Sequence, residues 1–102
     1  MDEKINSLLI SEKDNVAVVL EKMNPGDVAY YQIPGTSEVG RTLVCEEIQQ
    51  YHKVSIKEIK KDEKILKYGE IIGSAYCDIA PGKHVHLHNV KDKRDQLVLE
   101  DR

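Results

Sequence analysis

The 102-residue sequence has no Trp and no Phe, and its five aromatic residues are all tyrosines. Core filling therefore falls to Ile, Val and Leu, of which the β-branched members favour strands. An excess of one charge is also lacking. Fifteen basic residues face eighteen acidic ones, for a net charge of −3 and a pI near 5.8. The basic residues alternate with acids, as in the run from Lys57 to Lys64. Without a basic stripe or a stacking aromatic surface, general nucleic-acid binding is excluded as an expectation. No long apolar run and no N-terminal apolar segment is present, which predicts a cytoplasmic chain that neither crosses a membrane nor is secreted. Cys45 and Cys77 match no CxxC or zinc-knuckle spacing. They are expected as free structural thiols, buried in the manner usual for unpaired cysteine, in a reducing compartment. The sequence also has no Walker loop, GxGxxG or GxSxG elbow, and neither cysteine has an activating neighbour for nucleophilic work.

What is present is a succession of short β-type segments divided by turns, within a length that suits one domain, 1–102. Asn15–Leu20, Val28–Ile33, Lys53–Ile56, Ile65–Tyr68 and Ile71–Tyr76 read as strands, and Asn6–Ile10 as a shorter apolar segment. Thr42–Cys45 predicts a strand and Glu46–Gln50 a short helical turn. All three prolines precede glycine, at Pro25-Gly26, Pro34-Gly35 and Pro81-Gly82, a dipeptide suited to tight turns. A rhythm accompanies them: Ile48 and Val54, Ile59 and Ile65, and Ile79 and Val85 are each separated by six positions across a polar turn. The pattern predicts an all-β domain, a folded-over sheet or small barrel. From about Lys91 the chain is a charged tail expected to fray, and Leu97–Leu99 within it is expected as an edge strand or a frayed end.

Three of the four histidines stand at alternate positions in His84-Val85-His86-Leu87-His88-Asn89-Val90. As a strand, this segment turns His84, His86 and His88 to one face and Val85 and Leu87 to the core. Same-face neighbours lie roughly 6–7 Å apart, so two imidazoles can converge on one metal ion or one anionic substrate. His86 and His88 are the leading pair, and His52 supplies a third imidazole if its strand meets theirs. The ordinary alternative is a solvated polar face. Asn89 is expected to orient substrate or to cap the strand end. Tyr68 and Gly69 are expected to build a turn, from which the phenol could touch a ligand.

His52-Lys53-Val54, Lys67-Tyr68-Gly69-Glu70-Ile71-Ile72-Gly73, Asp78-Ile79-Ala80-Pro81-Gly82 and Val85-His86-Leu87-His88-Asn89 occur in that order. Together with Lys13–Val18 they resemble the SAF-type domain of altronate and galactarate dehydratases, and the resemblance extends to the small subunit of sulfolactate sulfo-lyase. The resemblance implies a β-clip fold. It departs from the family at Tyr51, where the first motif usually has glycine before its histidine, and in lacking the large catalytic region.

The resemblance therefore implies the small subunit of a sugar-acid dehydratase, with its active site shared with a large subunit. The implied reaction eliminates water from an aldonic or aldaric acid to give a 2-keto-3-deoxy acid. It implies a divalent metal, Fe2+ first, with Mn2+ or Mg2+ as substitutes. His86, His88 and His52 would then bind the metal, bind substrate or move a proton, with Asn89, Tyr68 and His84 toward the substrate. Two other readings stay open: a sulfo-lyase small subunit, and a non-catalytic module that binds a sugar acid or docks a partner; assembly into a homo-oligomer stays open under any of them.

Overall fold

A computed structural model of the chain describes residues 4–92, with the side chain of Asp92 left out. Among the described residues it is all-β, as the segment pattern predicts, and no helix is long and apolar enough to cross a membrane. Strands β1 (Ser7–Leu8), β2 (Val16–Val19), β5 (Lys53–Ser55) and β8 (His84–Val85) form an antiparallel sheet in the order β1-β2-β5-β8. A hairpin joins β3 (Val28–Gln32) to β4 (Val39–Leu43). A third sheet holds β6 (Lys64–Lys67), β7 (Glu70–Ala75) and β9 (Val90–Asp92) in that order.

Every β2 side chain is buried, because this strand lies between two cores. Ala17 and Val19 join Met23, Ala29, Val44, Ile48 and Val54 in one, while Val16 joins Ile59, Ile65, Ala75, Ile79 and Val85 in the other. The six-residue rhythm underlies both. Each pair consists of a residue in an isolated bridge, then a turn, then a buried strand residue. The structure adds a fourth copy, Met23 to Ala29, and the bridges pair the copies as Met23 with Ile48 and Ile59 with Ile79. Each copy has positive φ at the same place, at Gly26, Tyr51, Asp62 and Gly82. A type II turn needs this conformation at its third residue. Tyr51, which stands where the related motif has glycine, thus keeps the left-handed backbone at φ 68°. At Gly82 an added Cβ would also lie 2.0 Å from the carbonyl oxygen of Leu43.

Four expectations are corrected. No helical turn forms at Glu46–Gln50, because Ile48 exchanges backbone hydrogen bonds with Met23 and Gln50-Tyr51 turns the chain. The histidine segment is a strand only at His84–Val85; residues 86–89 form a turn, which leaves Leu87 77% exposed rather than in the core. Lys91 and Asp92 belong to β9, paired with Ser74 and Gly73, so no fray begins at 91. Both cysteines are exposed, with the Cys45 thiol directed at the carbonyls of Leu43 and Pro81. The expected segment Leu97–Leu99 lies outside the described residues.

Candidate functional site

The site forms where β5 meets β8. Lys53 pairs with Val85 and Val54 with His84, so the same register continued by one residue sets His52 against His86. Their rings stack with centroids 4.3 Å apart. His84, two residues from His86, stacks 5.1 Å from His52 and 5.4 Å from His86. His52 Nδ1 and His84 Nε2 are 2.9 Å apart. One of these nitrogens must carry the proton that the other accepts, so the two rings cannot both be protonated on the shared edge.

One ligand atom from each of His52, His84 and His86 lies within 4.8 Å of the others. This trio differs from the expected His86–His88 pair. Alternation ends at Val85, and His88 stands outside the trio, its ring centroid 5.2 Å from that of His84 and its plane tilted by 40°. His84, expected on the substrate side, is the ring that touches the other three.

Backbone anchors hold the trio. His52 is fixed at the edge of β2 by bonds from the Tyr51 amide to the Val19 carbonyl and from the Val19 amide to the His52 carbonyl. Glu46 Oε1 accepts the His84 amide proton at 2.7 Å. Asn89 is buried, and its side chain closes the histidine turn. Its Oδ1 accepts from the His86 amide and its Nδ2 donates to the His84 carbonyl, both at 2.9 Å. Its amide is thus spent on backbone, the capping role of the two expected for it. Tyr68 sits with Gly69 in the two-residue turn between β6 and β7, both at positive φ as a type I′ hairpin requires. The Asp14 carboxylate accepts from both turn amides, and the Lys67 ammonium lies 4.9 Å from the Tyr68 ring centroid.

Beside the trio opens a cleft of about 240 Å³, lined by Lys53, Lys67, Ile72, His86, Leu87 and Val90. Burial, and then the charge of Lys67, pushes the Lys53 pKa down. Burial is also the first cause lowering His84, followed by His52, His88 and His86, against a small opposing pull from Glu46. His86 is lowered by burial, then by His52, Lys53 and His88. Both rings therefore favour the neutral form with a lone pair to offer, as metal ligands and general bases must.

Sequence reasoning missed Glu46, Lys53 and Lys67. Lys53 adjoins His52 inside a short strand and carries a signal of position only; Glu46 beside Glu47 and Lys67 within the strand-like Ile65–Tyr68 carry none.

Comparison with known proteins agrees with this architecture. The pattern that defines the altronate/galactarate dehydratase SAF domain matches residues 5–93. An altronate dehydratase of Bacillus subtilis (strain 168) is 33% identical over 90 residues, covering 88% of this chain and 17% of that protein. An altronate dehydratase of Escherichia coli (strain K12) is 34% identical over 85 residues, covering 82% of this chain and 16% of that protein. The (2R)-sulfolactate sulfo-lyase subunit alpha of Chromohalobacter salexigens is 34% identical over 77 residues, covering 76% of this chain and 82% of that subunit. The chain thus spans about a sixth of the length of the dehydratases and most of the length of the sulfo-lyase subunit. With 89 of its 102 residues inside the defining pattern and its strands in the all-β arrangement described, the chain belongs to the altronate/galactarate dehydratase SAF-domain family.

Proposed function

We propose that this domain supplies the imidazole-bearing part of a lyase that eliminates water from an aldonic or aldaric acid, with the rest of the active site on a large partner subunit or domain. The convergence of His52, His84 and His86 at the adjoining ends of two paired strands carries this reading. Two nitrogens that shared one ion at about 2.1 Å would stand roughly 3.0–3.4 Å apart. Ring rotations would then have to draw together three nitrogens that already lie within 4.8 Å of one another. The donor set therefore fits a divalent ion held by His52, His84 and His86. All-imidazole ligation suits Fe2+, whereas Mg2+ prefers oxygen ligands and Mn2+ suits a set richer in carboxylate. When bound, such an ion supplies Lewis-acid stabilisation of the negative charge that builds on the substrate carboxylate.

The protein's own groups have separate tasks. His84 and Asn89 fix the orientation of the His86 turn. His88, outside the trio but against His84, is left to carry a proton between the reacting carbons and water. The proton leaves the carbon next to the carboxylate, the hydroxyl of the following carbon departs with a proton as water, and the resulting enol becomes the 2-keto-3-deoxy acid. Exposed, unpaired Cys45 and Cys77 suit a reducing cytoplasm.

A second reading draws on the sulfo-lyase subunit alpha, 82% of which the match spans. The same groups would then act in elimination of sulfite instead of water. Native mass spectrometry of the gently purified chain is expected to show a larger lyase chain and a divalent ion. With that assembly, H52A, H84A and H86A should each lower turnover by about a hundredfold or more, the scale of losing an acid–base group or ligand. Assays with altronate, galactarate and sulfolactate separate the two readings by product, and near-normal turnover in all three variants would refute both.

A further inference from the structure

Two ammonium groups, Lys53 and Lys67, line the cleft beside His86. Among the described residues neither has a carboxylate within ion-pair distance, although Lys22, Lys60 and Lys91 each have one. Both lysines are half-buried in the wall of this one cleft. Two like charges facing one cleft without a counter-ion are an uphill arrangement that an incoming anion reverses. The other walls, Ile72, Leu87 and Val90, are apolar and raise the strength of an ion pair formed between them. A volume of about 240 Å³ is below the roughly 300–1,000 Å³ of sites for drug-sized ligands. It admits a few-carbon fragment and not a nucleotide.

We propose that Lys53 and Lys67 form an oxyanion subsite for the terminal carboxylate or sulfonate of a small hydroxy acid. His86 lines both this cleft and the imidazole trio, so an acid anchored between the lysines lays its hydroxyl-bearing carbons toward the imidazoles. Lysine, a compact point charge with three rotatable donors, accepts the planar carboxylate and the tetrahedral sulfonate alike. The identity of the ligand as a hydroxy acid rests on the function proposed above; the subsite itself rests on the paired ammonium groups and the cleft.

The test is NMR of the full chain labelled at the lysine ε-carbons, titrated at constant ionic strength with D-gluconate, 3-hydroxypropane-1-sulfonate and neutral erythritol. Saturable shifts of Lys53 and Lys67 with either anion and none with erythritol are expected, and the tighter anion identifies the group. K53M and K67M, which keep the apolar stems, should each weaken that binding at least tenfold. Absence of saturable shifts, or equal binding by both variants, overturns the subsite. Co2+ absorption on the same samples reports the trio separately. Lysine shifts without Co2+ binding support the subsite and refute the metal reading alone, whereas Co2+ binding without lysine shifts refutes the subsite alone.

Discussion

Replacing Asn89 by Ala tests whether one buried amide braces the whole histidine turn. The side chain makes two 2.9 Å bonds, accepting from the His86 amide and donating to the His84 carbonyl, and only 6% of the residue is exposed. A side chain–backbone bond contributes about 1 kcal/mol net, and leaving its partner unsatisfied adds a further cost when water cannot reach it. Two such bonds to partly buried groups give a loss of roughly 2–3 kcal/mol. For a domain of this size that corresponds to a fall of roughly 10–20 °C in Tm. The same loss frees His84 and His86 from each other, so Co2+ binding to the trio should weaken with stability. Asn89→Asp separates the two bonds: its carboxylate still accepts from the His86 amide but repels the His84 carbonyl, and it should recover at most half of the loss. Urea denaturation followed by far-UV circular dichroism measures both variants. A loss under about 0.5 kcal/mol in Asn89→Ala would refute the bracing role.

Three further predictions concern backbone and protonation. Tyr51→Gly relieves a left-handed conformation costing about 1–2 kcal/mol in a residue with a Cβ, against about 0.5–1 kcal/mol of added chain entropy. With the ring 66% exposed, a net gain of about 0.5–1 kcal/mol is expected in the urea midpoint, and a lowered midpoint would show that the ring makes contacts worth more than the strain. Gly82→Ala combines positive φ with a Cβ 2.0 Å from the Leu43 carbonyl; it should cost at least about 3 kcal/mol, and a near-normal melting curve would contradict the turn geometry. His84 and His86 have folded-state pKa values below the ordinary 6.5. As pH falls through 6.5 the unfolded chain therefore takes up protons that the folded chain refuses. Their contribution is fully present above that value and lost below it, down to the folded pKa values. Scanning calorimetry from pH 8 to 5.5 should show Tm falling below about 6.5, and the double variant H84Q/H86Q should have a shallower slope; an unchanged slope would assign the effect to other groups.

The fold was legible because its signals are local. Short β-branched runs and Pro-Gly turns mark the strands, and the six-residue spacing marks a turn motif repeated in three dimensions. Its fourth copy escaped notice because Met23 and Ala29 stand where the other copies have Ile or Val. The site was legible as a group of histidines but not in its membership. Alternation implies a strand only while backbone partners last, and after Val85 the chain turns, with Asn89 bonding back to His84 and His86. Asparagine's habit of bonding nearby backbone was the available signal. Lys53 and Lys67 lie fourteen residues apart, and only the meeting of their sheets at the cleft joins them. Cysteine burial failed as an expectation because Cys45 and Cys77 each stand two residues past the end of a strand, β4 and β7, where the inward alternation no longer applies.

The separation of nitrogen donors from ammonium groups also bears on why a partner surface belongs to the proposed function. A lysine carrying its proton has no lone pair to give a metal, and neutral imidazoles carry no charge to hold an anion, so the proposed division of labour follows from protonation state. Beside water, however, a unit ion pair at 4 Å is worth only about 1 kcal/mol, against about 4 kcal/mol at an effective dielectric constant of 20. Lys53 and Lys67 stand on an open cleft, and the turn beside them presents Leu87 to solvent at 77% exposure. An apolar side chain at the rim of a charged cleft is placed to exclude water once another surface closes over it. Under the proposed function, that closure would strengthen anion binding and proton transfer together. The isolated domain should therefore bind hydroxy acids weakly and turn none of them over, and measurable turnover by this chain alone would show that the site needs no such cover.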